Sequence, residues 1–265
     1  MRSILLWLVI PAFFTALLAF TIRKQTLFSK APVSRINYAK RVVRCTPDWA
    51  YLQEWLDESD IPPIPGAGSY KWKISTADDS AQFYFNQGIN TYYSFHIIES
   101  MASFRKAARF DPSCAMLYWA QALAYGPNIN DLGYAASPEA LLATQKAVEF
   151  SGTATAIEKK LIQAMTVRYT ADSTDQNRQK LNQAYTAAMK SAYEDFPDNP
   201  DVGTLYADAM MLEHPWDLWN TDGTPRPWTP HIREVLEKLL VLAPNNPGAN
   251  HYYIHVMEPS PYADK

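Results

Sequence analysis

The chain has 265 residues, 48% of them hydrophobic and 13% aromatic, with a formal net charge of -3. That much apolar material excludes global disorder, and the charge balance lacks the basic excess that a nucleic-acid binder uses to attract phosphates. Glycine is scarce, at nine residues, and neither GxGxxG nor GxxxxGK[ST] occurs, which argues against the common nucleotide-binding enzymes.

The first element is an uncharged apolar run from Ser3 to Ile22. As a helix it would rise about 30 Å, the thickness of a bilayer core. Arg23 and Lys24 close it at once, and no small-x-small cleavage site follows. Residues 1–24 therefore read as one N-terminal transmembrane helix, an anchor or uncleaved signal. The next basic residues, among them Lys30, Arg35, Lys40, Arg41 and Arg44, would by the positive-inside rule alone hold the body in the cytoplasm. Residues 25–69 read as a juxtamembrane linker, with a short helix expected between Asp48 and Asp57. The stretch from Ile61 to Gly68 carries three prolines and two glycines and cannot be regular helix.

From about residue 70 to 265 the pattern is helical. Asp78 or Asp79 is the expected N-cap of the first helix. Phe85, Gly88, Ile89 and Tyr92 recur at helical steps, as do Ile97, Met101, Phe104, Ala107 and Ala108. Further apolar helical stretches follow, the last from Val235 to Leu242. Ala81 to Cys114 forms one 34-residue unit, with an aromatic at Tyr84, a small residue at Gly88, then Phe104, Ala107 and Pro112. Small residues let two helices approach, a large one fills the gap beside them, and proline stops the second helix. The phrases Phe196-Pro197-Asp198-Asn199-Pro200 and Ala243-Pro244-Asn245-Asn246-Pro247 repeat 47 residues apart, each ending one helix and starting another. Insertions interrupt the units at Gly126 to Tyr134 and in the Trp- and Pro-rich segment from Glu213 to Pro230. Cys45 and Cys114 form no CxxC pair, and Cys114 reads as a small buried residue.

These spacings resemble the tetratricopeptide repeat. The phrases Ser103-Phe104-Arg105-Lys106-Ala107, Asp111-Pro112-Ser113-Cys114-Ala115-Met116, Gly126-Pro127-Asn128-Ile129-Asn130 and Asn246-Pro247-Gly248-Ala249-Asn250-His251-Tyr252-Tyr253-Ile254-His255 are similar to a bacterial family of exported tetratricopeptide-repeat proteins. The likeness covers roughly residues 70 to 260. It implies an all-α, tetratricopeptide-like solenoid with insertions, a body on the periplasmic or exported side of the membrane, and no settled biochemical activity. The family's members tend to run on with further helices, whereas this sequence stops at Lys265.

Candidate chemistry centres on histidine. His251 and His255 lie one helical turn apart, and Glu258 follows three residues later. Together with His96 they are the candidate metal ligands, and a divalent transition metal is the ion such a set would hold. Tyr252 stands where HExxH would have its glutamate, so this is no metalloprotease motif. Otherwise the histidines serve structurally and no cofactor is expected. Asn128 and Asn130 either fix their own turn or meet a ligand. Trp216 and Trp219 either pack into the array or form a partner surface. No GxSxG, and no cysteine beside a histidine, suggests a nucleophile, so catalytic residues are unknown and the reading leans away from an enzyme.

The sequence thus predicts a membrane-tethered scaffold for a protein or peptide partner, with no nucleic acid. The alternative is a metal-binding protein or metal-dependent enzyme. The final helix, about Gly248 to Glu258, has apolar residues on more than one flank, which predicts self-association or fraying at the C-terminal edge.

Overall fold

The computed structural model describes Trp49, Leu52, Leu56 and residues 60–130, 134, 136–172 and 178–263. Among them are nine α-helices and no strand: α1 Asp79–Tyr93, α2 Ile97–Phe110, α3 Ala115–Tyr125, α4 Ser137–Glu149, α5 Ala156–Met165, α6 Arg178–Asp195, α7 Pro200–Glu213, α8 Thr229–Leu242 and α9 Pro247–Met257. The protein body is all-helical. No helix among the described residues is long and apolar enough to cross a membrane, and the apolar run at residues 3–22 lies outside them, as does Cys45. Cys114 is buried and free.

Local chemistry places the helix ends. The Asp78 carboxylate accepts from Ala81 N and starts α1. Thr155 and Glu158 form a reciprocal capping box at α5. The two repeated phrases work alike. Asn199 caps α7 and Asn246 caps α9, each followed by a proline whose missing N–H costs nothing in the first turn. Such caps contribute about 1 kcal/mol apiece.

Consecutive helices pack on one another, with α1 and α2 forming a tight hairpin. A Cβ at Gly88 would lie 2.4 Å from the Phe104 ring, so only glycine lets these two helices approach so closely. Ser100 adds a hydroxyl bond to the Gly88 carbonyl at 2.9 Å. The core runs through the series as Phe85, Phe104, Trp119, Leu161, Tyr185, Leu205 and Leu236, all essentially inaccessible. Full burial of a large apolar side chain is worth about 1.5–3 kcal/mol.

The run of helices turns back on itself, so that α9 lies against α1. Tyr252 meets Tyr93 edge to face with ring centres 6.1 Å apart, and Gly248 sits against the same Tyr93 ring. The flank of α9 that the sequence reading left bare is partly covered within the chain. The Trp219 indole donates to the Val256 carbonyl at 2.7 Å, Tyr262 packs on Trp219, and Ser260 is buried. Ile254 and Tyr262 remain exposed, at 59% and 45%.

Candidate functional site

Before α1 the chain is extended, and it lies along that helix. Carboxamides of α1 read its main chain. Gln87 Oε1 accepts from Ile64 N at 2.8 Å and its amide donates to Pro62 O at 3.3 Å. Asn90 grips both polar groups of Tyr70, accepting from N at 3.3 Å and donating to O at 2.9 Å. Asn86 accepts from Trp72 N at 3.1 Å, while Gln82 donates to Trp72 O at 2.9 Å and accepts from Ile74 N at 3.1 Å. The register has a simple cause. Two residues of extended chain advance about 6.6 Å and four residues of helix about 6.0 Å. Positions 70, 72 and 74 therefore fall opposite 90, 86 and 82, with the strap antiparallel to the helix.

The strap's side chains alternate as extended geometry requires. Trp72 and Ile74 are buried, Tyr70 is half-buried, and Lys71 and Lys73 face solvent. Trp72 stands edge-on to Phe85 at 5.8 Å and to Trp119 at 5.4 Å. Gly68 has φ 117, and a Cβ there would strike the Asn90 carboxamide. Farther along, Ser75 donates from N and Oγ to Glu158, at 2.7 and 2.6 Å. Tyr70 reaches past α1: its hydroxyl donates to Asp201 Oδ1 at 2.5 Å and accepts from Asn246 Nδ2 at 3.1 Å. One tyrosine thus ties the strap to the starts of α7 and α9. Burial pushes the Asp201 carboxyl up to about 7, with the Tyr70 hydrogen bond opposing.

At the centre of the closed run lies Arg168, fully buried just after α5. Its guanidinium sits 4.2 Å over the Tyr185 ring, donates to the Pro127 carbonyl at 3.2 Å and lies 4.0 Å from Asp208 Oδ2. Burial raises the Asp208 carboxyl to about 6, against the pull of Arg168 and the Tyr252 hydroxyl.

The structure brings His251 and His255 together, with ring centres 4.6 Å apart and planes inclined at 36°. Phe95 packs on both rings, and Trp216 stands edge-on to His255 at 5.2 Å. Glu258 accepts from His255 Nδ1 at 2.9 Å. His96 is not drawn into this group: its exposed ring lies 4.0 Å from Glu99. Among the described residues no three His, Cys, Asp or Glu side chains gather into a group that could hold a metal ion. Asn128 Oδ1 accepts from the Asn130 N–H at 2.9 Å, a bond within their own turn. Trp219 is tied to α9, whereas Trp216 is 43% exposed. His214 stacks flat on Trp228 at 3.6 Å.

Sequence reasoning missed the strap and its amide ladder. The signals were present as the alternation Tyr70-Lys71-Trp72-Lys73-Ile74 and the carboxamide stripe Gln82, Asn86, Asn90. No protein-family model, curated protein or solved structure matches this chain.

Proposed function

We propose that this protein is a tetratricopeptide-type scaffold, tethered to a membrane through residues 3–22 with its body on the exported side, that holds a protein or peptide partner in extended form. The repeat reading is supported by the α1–α2 hairpin, where Gly88 and Phe104 meet at the spacing of a 34-residue unit. The observation that carries the functional reading is the amide ladder. A helix whose carboxamides bond the main chain at 64, 70, 72 and 74, and whose aromatic neighbours take Trp72, is built to bind an extended segment. Main-chain bonds supply affinity and alternate side chains supply selectivity, as in other extended-peptide recognition. In this chain residues 61–76 occupy that face, and a partner of similar pattern would take their place.

The test is exchange in trans. A fluorescent peptide of residues 60–76 is titrated into the full chain carrying Trp72→Ala and Tyr70→Ala, which weaken the resident strap, and into the unmodified chain. Saturable binding to the variant, at least tenfold tighter than to the unmodified chain and lost when the peptide's own tryptophan becomes alanine, is the expected result. Equal binding to both chains, or none to a variant whose circular dichroism is unchanged, refutes the reading.

A further inference from the structure

We infer that His251 and His255 form a two-imidazole site for a divalent first-row transition-metal ion, bound through both Nε2 atoms beside the rings of Phe95 and Trp216. The hydrogen bonds decide which nitrogen is free. His251 Nδ1 lies 2.5 Å from the Tyr93 carbonyl oxygen, which can only accept, so Nδ1 carries the proton. His255 Nδ1 faces the Glu258 carboxylate at 2.9 Å, which fixes the same tautomer. With Nδ1 engaged in this way, the neutral form of each ring carries its lone pair on Nε2. Imidazoles that bind metals are held in this way, by donating the other N–H to a backbone carbonyl or a carboxylate. Both kinds of partner occur here, one on each ring.

Two further observations converge on the same point. His255 Nε2 is buried and has no hydrogen-bond partner, a state that costs a polar atom about 1–3 kcal/mol. The only two non-glycine residues with positive φ among those described are Phe95 at 58° and Trp216 at 62°, and both touch the His255 ring. Aromatic side chains in this region cost about 1–3 kcal/mol each and persist where the surroundings hold them. A bound ion would satisfy the orphan nitrogen and give the two strained residues a common purpose. The site differs from the set expected from sequence. Glu258 orients His255 rather than ligating, and His96 is not part of it. Two protein nitrogens leave the remaining positions to water or to a donor from a partner, and imidazole donors suit copper, zinc and nickel.

The test uses the untagged full chain in mild detergent, stripped with a chelator and titrated with Zn2+ against a fluorescent zinc indicator at neutral pH. One equivalent is expected to bind in the micromolar range or tighter. His251→Ala or His255→Ala should weaken uptake at least tenfold, and His96→Ala should leave it unchanged. Glu258→Gln alters an exposed side chain and leaves the core alone; it should weaken uptake about tenfold by loosening His255. A long-range nitrogen–proton NMR spectrum of the metal-free chain should show Nδ1–H tautomers for both rings, with both Nε2 signals shifting on Zn2+ addition. Uptake that survives loss of both histidines, uptake absent up to about 100 μM Zn2+, or an Nε2–H tautomer in either ring overturns the inference.

Discussion

Neutralising one buried carboxyl should flatten the acid-to-neutral stability profile. Asp201 is 6% exposed, and burial lifts its pKa from 3.8 to about 7. A folded-state pKa above the unfolded one means stability that is full below about pH 4 and is lost as pH rises through about 7. Each pH step in which the native carboxyl holds a proton and the unfolded one does not costs about 1.4 kcal/mol. From pH 5 to pH 8 that amounts to roughly 3 kcal/mol. The position opposes part of it. Asp201 lies in the first turn of α7, where the helix dipole favours its anion by about 1 kcal/mol. The net effect is about 2 kcal/mol. Asp201→Asn keeps an acceptor for the Tyr70 hydroxyl and removes the titration. Urea unfolding of the full chain and the variant at pH 5 and pH 8 isolates the effect, because Asp208, which acts in the same direction, and His251, which acts in the opposite one, cancel in the difference. The stability gap should move by about 2 kcal/mol in favour of the variant as pH rises. Parallel profiles would refute the reasoning, and would mean that Asp201 is ionised within the fold.

Gly88→Leu should lower stability by about 1–3 kcal/mol or more through collision with Phe104, and an unchanged melting temperature would place the helix contact elsewhere. Trp72→Ala should cost about 3–5 kcal/mol, read by urea unfolding, because the ring is buried between Phe85 and Trp119. Arg168→Met strands Asp208 in the interior and should cost about 3–5 kcal/mol, with Arg168→Met plus Asp208→Leu recovering a large part of it in the same assay. Full-length protein should leave membranes in detergent and stay with them in carbonate; quantitative release by carbonate would reject the anchor at residues 3–22.

Helix ends were legible in the sequence because local chemistry makes them. Asp78, Asn199 and Asn246 cap the helices that follow them, and the repeated phrases end α6 and α8 and start α7 and α9. Gly88 was legible for a similar reason, since its spacing to Phe104 lies within one hairpin. The strap was not. A lone extended segment has no partner strand, so its two-residue alternation gives no sheet signal, and a stripe of Gln and Asn on a helix reads as a solvated face. The histidine pair was half legible: helical spacing sets His251 beside His255. Phe95 and Trp216 come from distant loops, and the tautomers depend on Tyr93 O and on which way Glu258 turns. Asn128 and Asn130 could be read either way, and the bond from the Asn130 N–H to the Asn128 carboxamide is one that the two-residue spacing allows.

The contact of α9 with α1 changes how the molecule should fold. In an open array each unit touches only its neighbours, so units can melt separately and folding can start anywhere. Here the His251–Tyr93 contact joins positions 158 residues apart, and Asn246–Tyr70 joins positions 176 apart. Such pairs raise the contact order, and their loop-closure entropy must be overcome before they give anything back. Refolding should therefore be slower than in an open helical run of equal length, and hydrogen exchange should show α1 and α9 opening together. Loss of the last helix would then loosen the first.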